Sequence, residues 1–147
     1  MRAATEIAAL VGVIDPDAYA ASTVTTGWIK ADKFHRYLAM VLAGDLVTDA
    51  TLDAKLEQAT DGSGTGAKDV TGKAITQLTQ AGSDSNKQAA IGLIPADDLD
   101  IANGFVYFRL SCTLGTAGGD LAGSVYGVEP VNGPAKDHDA TTVDEVV

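Results

Sequence analysis

The sequence has little cysteine, few aromatic side chains and little positive charge. Cys112 is its one cysteine, so no disulfide can form within the chain, and we expect it to fold in a reducing cytosol. Aromatic residues make up 5% of the chain, so the core must be built mainly from Ala, Val, Leu and Ile. The apolar run at residues 7–14, "IAALVGVI", is too short to span a bilayer.

The shortage of positive charge limits the classes of partner. Ten Lys and Arg stand against 20 Asp and Glu, which gives a formal net charge of -10. A nucleic-acid-binding protein needs a basic face that displaces counterions, and an anionic membrane attracts basic segments. We therefore expect protein partners, with no nucleic acid and no membrane. At 147 residues and 46% hydrophobic content, the chain has enough apolar surface for one domain.

Period-two alternation predicts that the chain is made mainly of strands. In residues 51–60, Leu52, Ala54 and Leu56 alternate with charged residues, which is typical of a strand with one buried face. Residues 105–114 repeat this pattern. Residues 36–44 are apolar on both faces, as in a central strand. Shorter or less regular candidates lie at 70–79, 88–94 and 121–128, whereas "PADDLDIANG" at 95–104 favours a loop with a short turn.

Turn clusters separate these segments at fairly regular intervals. Short strands at such spacing predict an all-β fold, an antiparallel β-sandwich or jelly-roll-like single domain with extended terminal arms. We assign residues 1–14, before the "DPD" turn, to an N-terminal arm or edge strand and residues 15–131 to the sandwich. Residues 132–147 are acidic and lack lasting periodicity, so we expect a C-terminal arm that lies on neighbouring subunits.

The stretch "TDGSGTGAKDV", residues 60–70, has the most motif-like appearance. It lacks the Gly-Lys-Ser/Thr ending of a P-loop, the spacing of a dinucleotide-binding turn and the acidic series of a calcium loop. We interpret it as a flexible connection between two strands, with glycines that accept positive φ. The alternative is an ion- or ligand-binding loop.

Candidate catalytic and metal-binding residues are few. His35 and His138 are the only histidines, and no third ligand accompanies them at a zinc-site spacing. Asp97, Asp98 and Asp100 can be a solvated loop, a calcium site or a carboxylate pair. Cys112 alternates with core residues, so we expect a buried thiol. We predict no catalytic residues, no metal and no cofactor.

Several stretches resemble a family of small β-rich proteins encoded among the structural genes of tailed bacteriophages. The stretches are "VTTGWI" (24–29), "KFHRYL" (33–38), "ATLDAKLEQATD" (50–61), "GTGAKDVTGKAITQLT" (64–79), "NKQAAI" (86–91) and "NGFVYFRLSCTLGT" (103–116). The resemblance covers roughly residues 14–128. It implies a virion protein, made in the bacterial host cytoplasm, that decorates or cements the outer surface of a capsid. It carries no active-site residues over to this chain.

The function we predict is therefore a non-enzymatic capsid decoration or cement protein. Its expected partners are the major capsid protein and copies of itself in a small homo-oligomer such as a trimer. The predicted partner contacts are Trp28, Phe34, Tyr107, Pro134, His138, Val143 and Val147. The alternatives are a tail, connector or fibre-base virion protein, a carbohydrate-binding adhesion module and, least favoured, a hydrolase that uses His35 with Asp97 and Asp98.

Overall fold

The computed structural model describes residues 1–139 and 141–147, and their fold is all-β, as predicted. Ten strands form two sheets in which neighbouring strands are antiparallel. Sheet A has the order β1-β10-β4-β8, and its strands are β1 (Ala8–Tyr19), β10 (Gly119–Pro130), β4 (Phe34–Leu46) and β8 (Gln88–Leu93). Sheet B has the order β2-β9-β5-β6, and its strands are β2 (Thr23–Thr25), β9 (Tyr107–Gly115), β5 (Thr51–Ala59) and β6 (Lys68–Ala74).

The remaining elements are short. β3 (Ile29–Lys30) pairs with β9, and β7 (Leu78–Thr79) pairs with β5, so both belong to sheet B. Helix α1 (Ala4–Ile7) precedes β1. Helix α2 (Pro95–Asp98) and a 3₁₀ turn (Ile101–Asn103) occupy the segment that we predicted to be a loop with a short turn.

The strand order is that of a jelly roll. When β2 and β3 are counted as one interrupted strand, and β6 and β7 as another, eight strands remain, four in each sheet. Apart from the β5–β6 hairpin, each strand lies in the sheet opposite to its predecessor along the chain. Two such four-stranded antiparallel sheets packed face to face define a double-sheet jelly roll. The prediction of a sandwich or jelly-roll-like fold is thus confirmed in its more specific form.

The core lies between the sheets and is filled by alternate residues of the long strands. β5 contributes Leu52, Ala54 and Leu56, and β9 contributes alternating residues from Phe108 to Leu114, all of them buried. A fully buried Leu or Phe stabilises the fold by about 1.5–3 kcal/mol. The alternation that predicted these two strands is therefore the pattern that builds the core.

Phe34 packs in this core at the start of β4, with 2% of its surface exposed. Its ring stands edge-on to Tyr37, 5.8 Å between centroids, and lies against Gly127 of β10. A Cβ at Gly127 would collide with the Phe34 ring, so a glycine is required for this packing. Burial also raises the pKa of Tyr37 to about 12, and the Tyr37 hydroxyl donates to the Lys30 carbonyl at 3.4 Å.

The turn that we predicted at Asp15–Pro16–Asp17 is wrong. β1 continues through these residues to Tyr19, with an irregularity in its pairing to β10 between Ile14 and Asp17. Proline lacks a donor for the strand ladder but is tolerated at edge strands and bulges, and β1 is the edge of sheet A. The boundary that we placed after residue 14 therefore lies inside a strand.

Candidate partner-binding surfaces

The residues that suggested catalysis or metal binding lie on β4 and on helix α2, where His35 shares a shallow cavity with Pro95 and Ala96. His35 is exposed at the start of β4, whereas Asp97 and Asp98 lie on α2. Asp98 accepts the backbone N–H of Ile94 at 2.7 Å and pairs with Lys73 at 3.2 Å. Within residues 1–139 and 141–147, no group of three or more His, Cys, Asp or Glu side chains is arranged to hold a metal ion.

Cys112 is fully buried on β9, and its thiol is free. Burial raises the pKa of its thiol to about 12, because the charged thiolate is poorly solvated in the core. The thiolate is the nucleophilic form of cysteine, so this side chain is inert in the folded protein. The prediction of a buried thiol is confirmed.

The glycine-rich stretch connects β5 to β6 and is organised by its own aspartate. One carboxylate oxygen of Asp61 accepts the N–H groups of Ser63 and Thr65 at 2.9 and 3.0 Å, and the other accepts the Thr65 hydroxyl at 2.6 Å. These bonds lower the pKa of Asp61, with the Thr65 hydroxyl as the largest cause. The acid therefore serves the turn itself, which agrees with a connection between strands.

The outer face of sheet B is charged and internally paired. Arg109 donates to Glu57 at 2.7 Å, and Lys55 contacts both Glu57 at 3.7 Å and Asp69 at 2.6 Å. The bond to Asp69 is the largest cause of a raised pKa at Lys55. Alternating charges on neighbouring strands of this kind are typical of a solvated sheet face.

Trp28 and Tyr107, two of the predicted contacts, also lie at sheet B and are half-buried. The Cζ atom of Arg109 lies over the Trp28 ring, 4.4 Å from the ring centroid. The same ring packs against Gly64 of the β5–β6 connection. Tyr107 lies beside Gly62 of the same connection. Both aromatic rings therefore hold this connection against the sheet.

The outer face of sheet A has the opposite character. Here three successive cross-strand rows carry no charged residue, and we name them the apolar face. The rows are Leu10–Tyr126–Leu38–Gly92, then Val13–Ser124–Met40–Ala90, then Ala122–Leu42–Gln88. Leu38, Leu42 and Tyr126 have 37%, 42% and 36% of their surface exposed. A contiguous apolar patch of this kind is a candidate surface for contact with another molecule.

The apolar face was not predicted from the sequence, although the pattern of β4 indicates it. Residues 36–44 are apolar on both faces, and we interpreted them as a central strand. β4 is indeed central, between β10 and β8, and that part of the prediction is confirmed. No described residue covers the second side of β4, so Leu38 and Leu42 face outward. In a sandwich of two sheets packed face to face, a strand that is apolar on both faces indicates either a third layer or an interface.

The C-terminal segment lies along the open edge of β1. The Ala135 N–H donates to the Glu6 carbonyl and the Asp139 N–H to the Leu10 carbonyl, each at 2.7 Å. The Leu10 N–H in turn donates to Nδ1 of His138 at 3.3 Å. Residues 135–139 therefore run parallel to β1 and cover part of a sheet edge that would otherwise present unpaired backbone groups.

The other predicted contacts in this segment differ in exposure. Pro134 is exposed, Val143 is half-buried, and Val147 is 97% exposed. His138 is half-buried, and its Nε2 atom is buried with no hydrogen-bond partner among the described residues. The segment thus docks through residues 135–139 and presents its last residues to solvent.

Comparisons with known proteins give structural likeness alone. No family model matches the chain, and no curated protein matches it. Among solved structures, the chain is similar to one from the cowpea mosaic virus top component, described as naturally occurring empty particles. That likeness has a TM-score of 0.40 at 11% identity, over 90% of this chain and 92% of the other. A structure of broad bean stain virus gives a TM-score of 0.38 at 13% identity, over 95% and 98%.

Both TM-scores are below 0.5, so the assignment of the jelly roll rests on the strand pairing described above. Within the described residues, no helix is long and apolar enough to cross a membrane.

Proposed function

We propose that this chain is a non-enzymatic virion structural protein of a tailed bacteriophage, which decorates the outside of the major capsid shell and cements it. The observation that carries the proposal is the contrast between the two outer faces of the sandwich. Sheet B presents paired charges suited to water, whereas sheet A presents an apolar face suited to burial against protein. A protein fixed to the outside of a shell needs both kinds of surface.

Two further observations support a structural role over an enzymatic one. The resemblance of residues 14–128 to small structural proteins of tailed phages concerns framework segments of the sandwich. Cys112 is buried and Asp61 serves a local turn, so neither side chain is free to act on a substrate. Jelly rolls also occur in viral capsid domains, although a fold alone does not fix a function.

The mechanism we propose is stabilisation by mass action. A protein that binds the assembled shell but not free capsid subunits lowers the free energy of the assembled state by an amount that grows with its concentration. The terminal segments are the proposed attachment points, because residues 144–147 at the end of the C-terminal segment are exposed. The partners are then the major capsid protein and further copies of this chain.

The experiment that tests the proposal adds the purified chain to phage shells that lack it. We expect saturable co-sedimentation with the shells and a rise in the temperature at which they disassemble, with free capsid subunits left unbound. Shells that neither bind the chain nor gain thermal stability would contradict a cementing role.

A position in the tail, connector or fibre base is the alternative within the virion. A protein in such a position would also use the apolar face and the terminal segments, because every subunit of a ring or shell needs surfaces that contact its neighbours. Immunogold labelling of intact particles distinguishes the two positions, because a decoration protein labels the whole head and a connector protein labels one vertex.

A carbohydrate-binding module is the second alternative, since lectin domains also use jelly rolls. Glycan binding needs accessible aromatic rings. The Trp28 ring already packs against Arg109 and Gly64, which weighs against this function. Glycan-array binding by the isolated chain would favour it.

A further inference from the structure

We propose that the apolar face of sheet A packs against the same face of a second copy of this chain, related by a two-fold axis that crosses the strands at Met40. This inference rests on the proposed function and deepens it, because it names the surface through which copies of the chain associate. It also replaces the trimer we expected from the sequence with a two-fold contact.

The composition of the apolar face favours a copy of itself as the occupant. Its side chains are small or aliphatic, with Tyr126 as its single aromatic and Ser124 and Gln88 as its polar members. A nucleic acid or an acidic peptide needs cations, and the three rows contain none. A second apolar face is flat, uncharged and of the same width, so two sheets can pack in the way sandwich sheets do, about 10 Å apart.

The net charge of the whole chain also favours a second copy on the apolar face. Each copy has a formal net charge of -10. Two copies therefore repel each other wherever the facing surfaces are as acidic as the chain on average. The three uncharged rows are therefore a surface on which two copies can approach at little electrostatic cost. The paired charges of sheet B offer no such surface, because its rows contain Asp53, Lys55 and Glu57.

The charges at the two ends of the apolar face select the orientation of the second copy. Arg36 stands on the outer side of β4 just before the first row, and its side chain, which is 63% exposed, pairs with Glu129 at 3.2 Å. Four exposed carboxylates lie at the opposite end of the sheet, namely Asp15, Asp17, Asp45 and Asp120. A two-fold axis along the strands would place these acids over their own copies, which is unfavourable. An axis across the strands places each acidic end over the end that holds Arg36.

The position of Asp120 makes this pairing specific. Met40 is midway between Arg36 and Gly44 on β4, so an axis through Met40 places Arg36 of one copy over Gly44 of the other. Asp120 lies directly beside Gly44, where an added Cβ would be 2.7 Å from the Cβ of Asp120. We therefore expect Arg36, which pairs with Glu129 in its own copy, to lie within reach of Asp120 of the other copy on each side of the axis.

The size of the apolar face sets the strength of the contact. Four strands about 4.8 Å apart and three rows about 6.8 Å apart span about 400 Å². A stable interface buries about 800 Å² on each partner. The face alone therefore supports weak association, which becomes extensive only at the high local concentration found on a shell.

The first test is sedimentation velocity from about 10 μM to about 1 mM, a range that covers weak association. We expect a monomer that dimerises as its concentration rises. Leu42→Asp places a charge in the apolar face at an exposed position and should weaken dimerisation at least about tenfold. Thr71→Asp adds the same charge at an exposed position of β6 and should dimerise as the unmodified chain does. Thermal unfolding of each variant checks that the fold is kept.

A charge exchange tests the orientation. Arg36→Glu and Asp120→Lys should each weaken dimerisation, and the variant with both changes should recover most of it. An unmodified chain that stays monomeric at the highest concentration overturns the proposal, as does equal dimerisation by Leu42→Asp. A double variant no better than either single variant overturns the two-fold arrangement across the strands.

Self-association and shell binding can fail independently of each other. A chain that stays monomeric in solution, yet binds shells through the apolar face and loses binding on Leu42→Asp, would overturn self-association and assign the face to the shell protein. A chain that dimerises as described, yet fails to bind shells, would support the face-to-face contact and contradict the cementing role.

Discussion

At the residue scale, the connection between β5 and β6 depends on glycine at position 64. Gly64 has a φ of +83°, which L side chains rarely adopt, and a Cβ there would be 2.7 Å from Nε1 of Trp28. Two independent constraints, on the backbone and on the packing, therefore require glycine. The sequence allowed a prediction of positive φ in this stretch, but the Trp28 contact joins residues that are distant along the chain.

We expect Gly64→Ala to destabilise the protein by about 1–3 kcal/mol, because it introduces backbone strain and displaces the Trp28 ring. Urea unfolding followed by Trp28 fluorescence measures this. Gly62→Ala is the matched control, since its Cβ would make an ordinary 3.5 Å contact with Tyr107, and its cost should stay within about 0.5 kcal/mol. Equal stability of the two variants would contradict this account of the connection.

Asp61 makes the same connection sensitive to acid. Its pKa in the folded protein is lowered by bonds from Thr65, Ser63 and Gly64. Their stabilisation is therefore complete above the pKa of an unfolded-state aspartate, about 3.9, and is lost as the pH falls through the lower folded-state pKa. We expect the amide protection factors of Ser63 and Thr65, measured by NMR, to fall in that acidic range.

Asp61→Asn is the control for this effect, because its side-chain oxygen still accepts an N–H but does not titrate. The acid-dependent loss of protection at Ser63 and Thr65 should disappear in this variant. An unchanged pH response in Asp61→Asn would mean that another group controls the connection.

At the element scale, the long strands were predictable and the short or irregular elements were not. The alternation of Leu52, Ala54 and Leu56 predicted β5, and the pattern of residues 105–114 predicted β9, because one buried face imposes period two. β2 and β3 have three and two residues, too few to show any period. β1 passes through Asp15 and Pro16, residues that favour turns locally, because pairing with β10 overrides that preference.

The C-terminal segment supplies the test at this scale. Deleting residues 132–147 should leave the jelly roll intact, since the pairing of β1 with β10 does not involve this segment. Loss of the bonds to Glu6 and Leu10 should lower stability by about 1–3 kcal/mol, measured by urea unfolding. We also expect weaker binding to shells.

A shorter deletion separates docking from attachment. Removing residues 144–147 keeps the contacts of Ala135, His138 and Asp139 with β1, so stability should be unchanged. Weaker shell binding by this variant assigns attachment to the last residues. Full shell binding after deletion of residues 132–147 would contradict the proposed role of the segment.

At the scale of the whole molecule, the two sheets share a core but differ in what they present outward. Sequence patterns described each strand separately and could not show that the apolar sides of β4 and β10 lie next to each other in sheet A. That juxtaposition follows from the strand order, which brings β10, the last strand, between β1 and β4. The apolar face is thus a product of topology, formed by residues more than 80 positions apart in sequence, such as Leu38 and Tyr126.

A decoration role is decided by the number of copies of this chain in a purified phage particle, measured by quantitative mass spectrometry against the major capsid protein. We expect a copy number of the same order as that of the major capsid protein, because a decoration protein covers the whole shell. A small fixed number, as in a connector ring, would move the protein to the tail or connector. Absence from purified particles would contradict a virion role altogether.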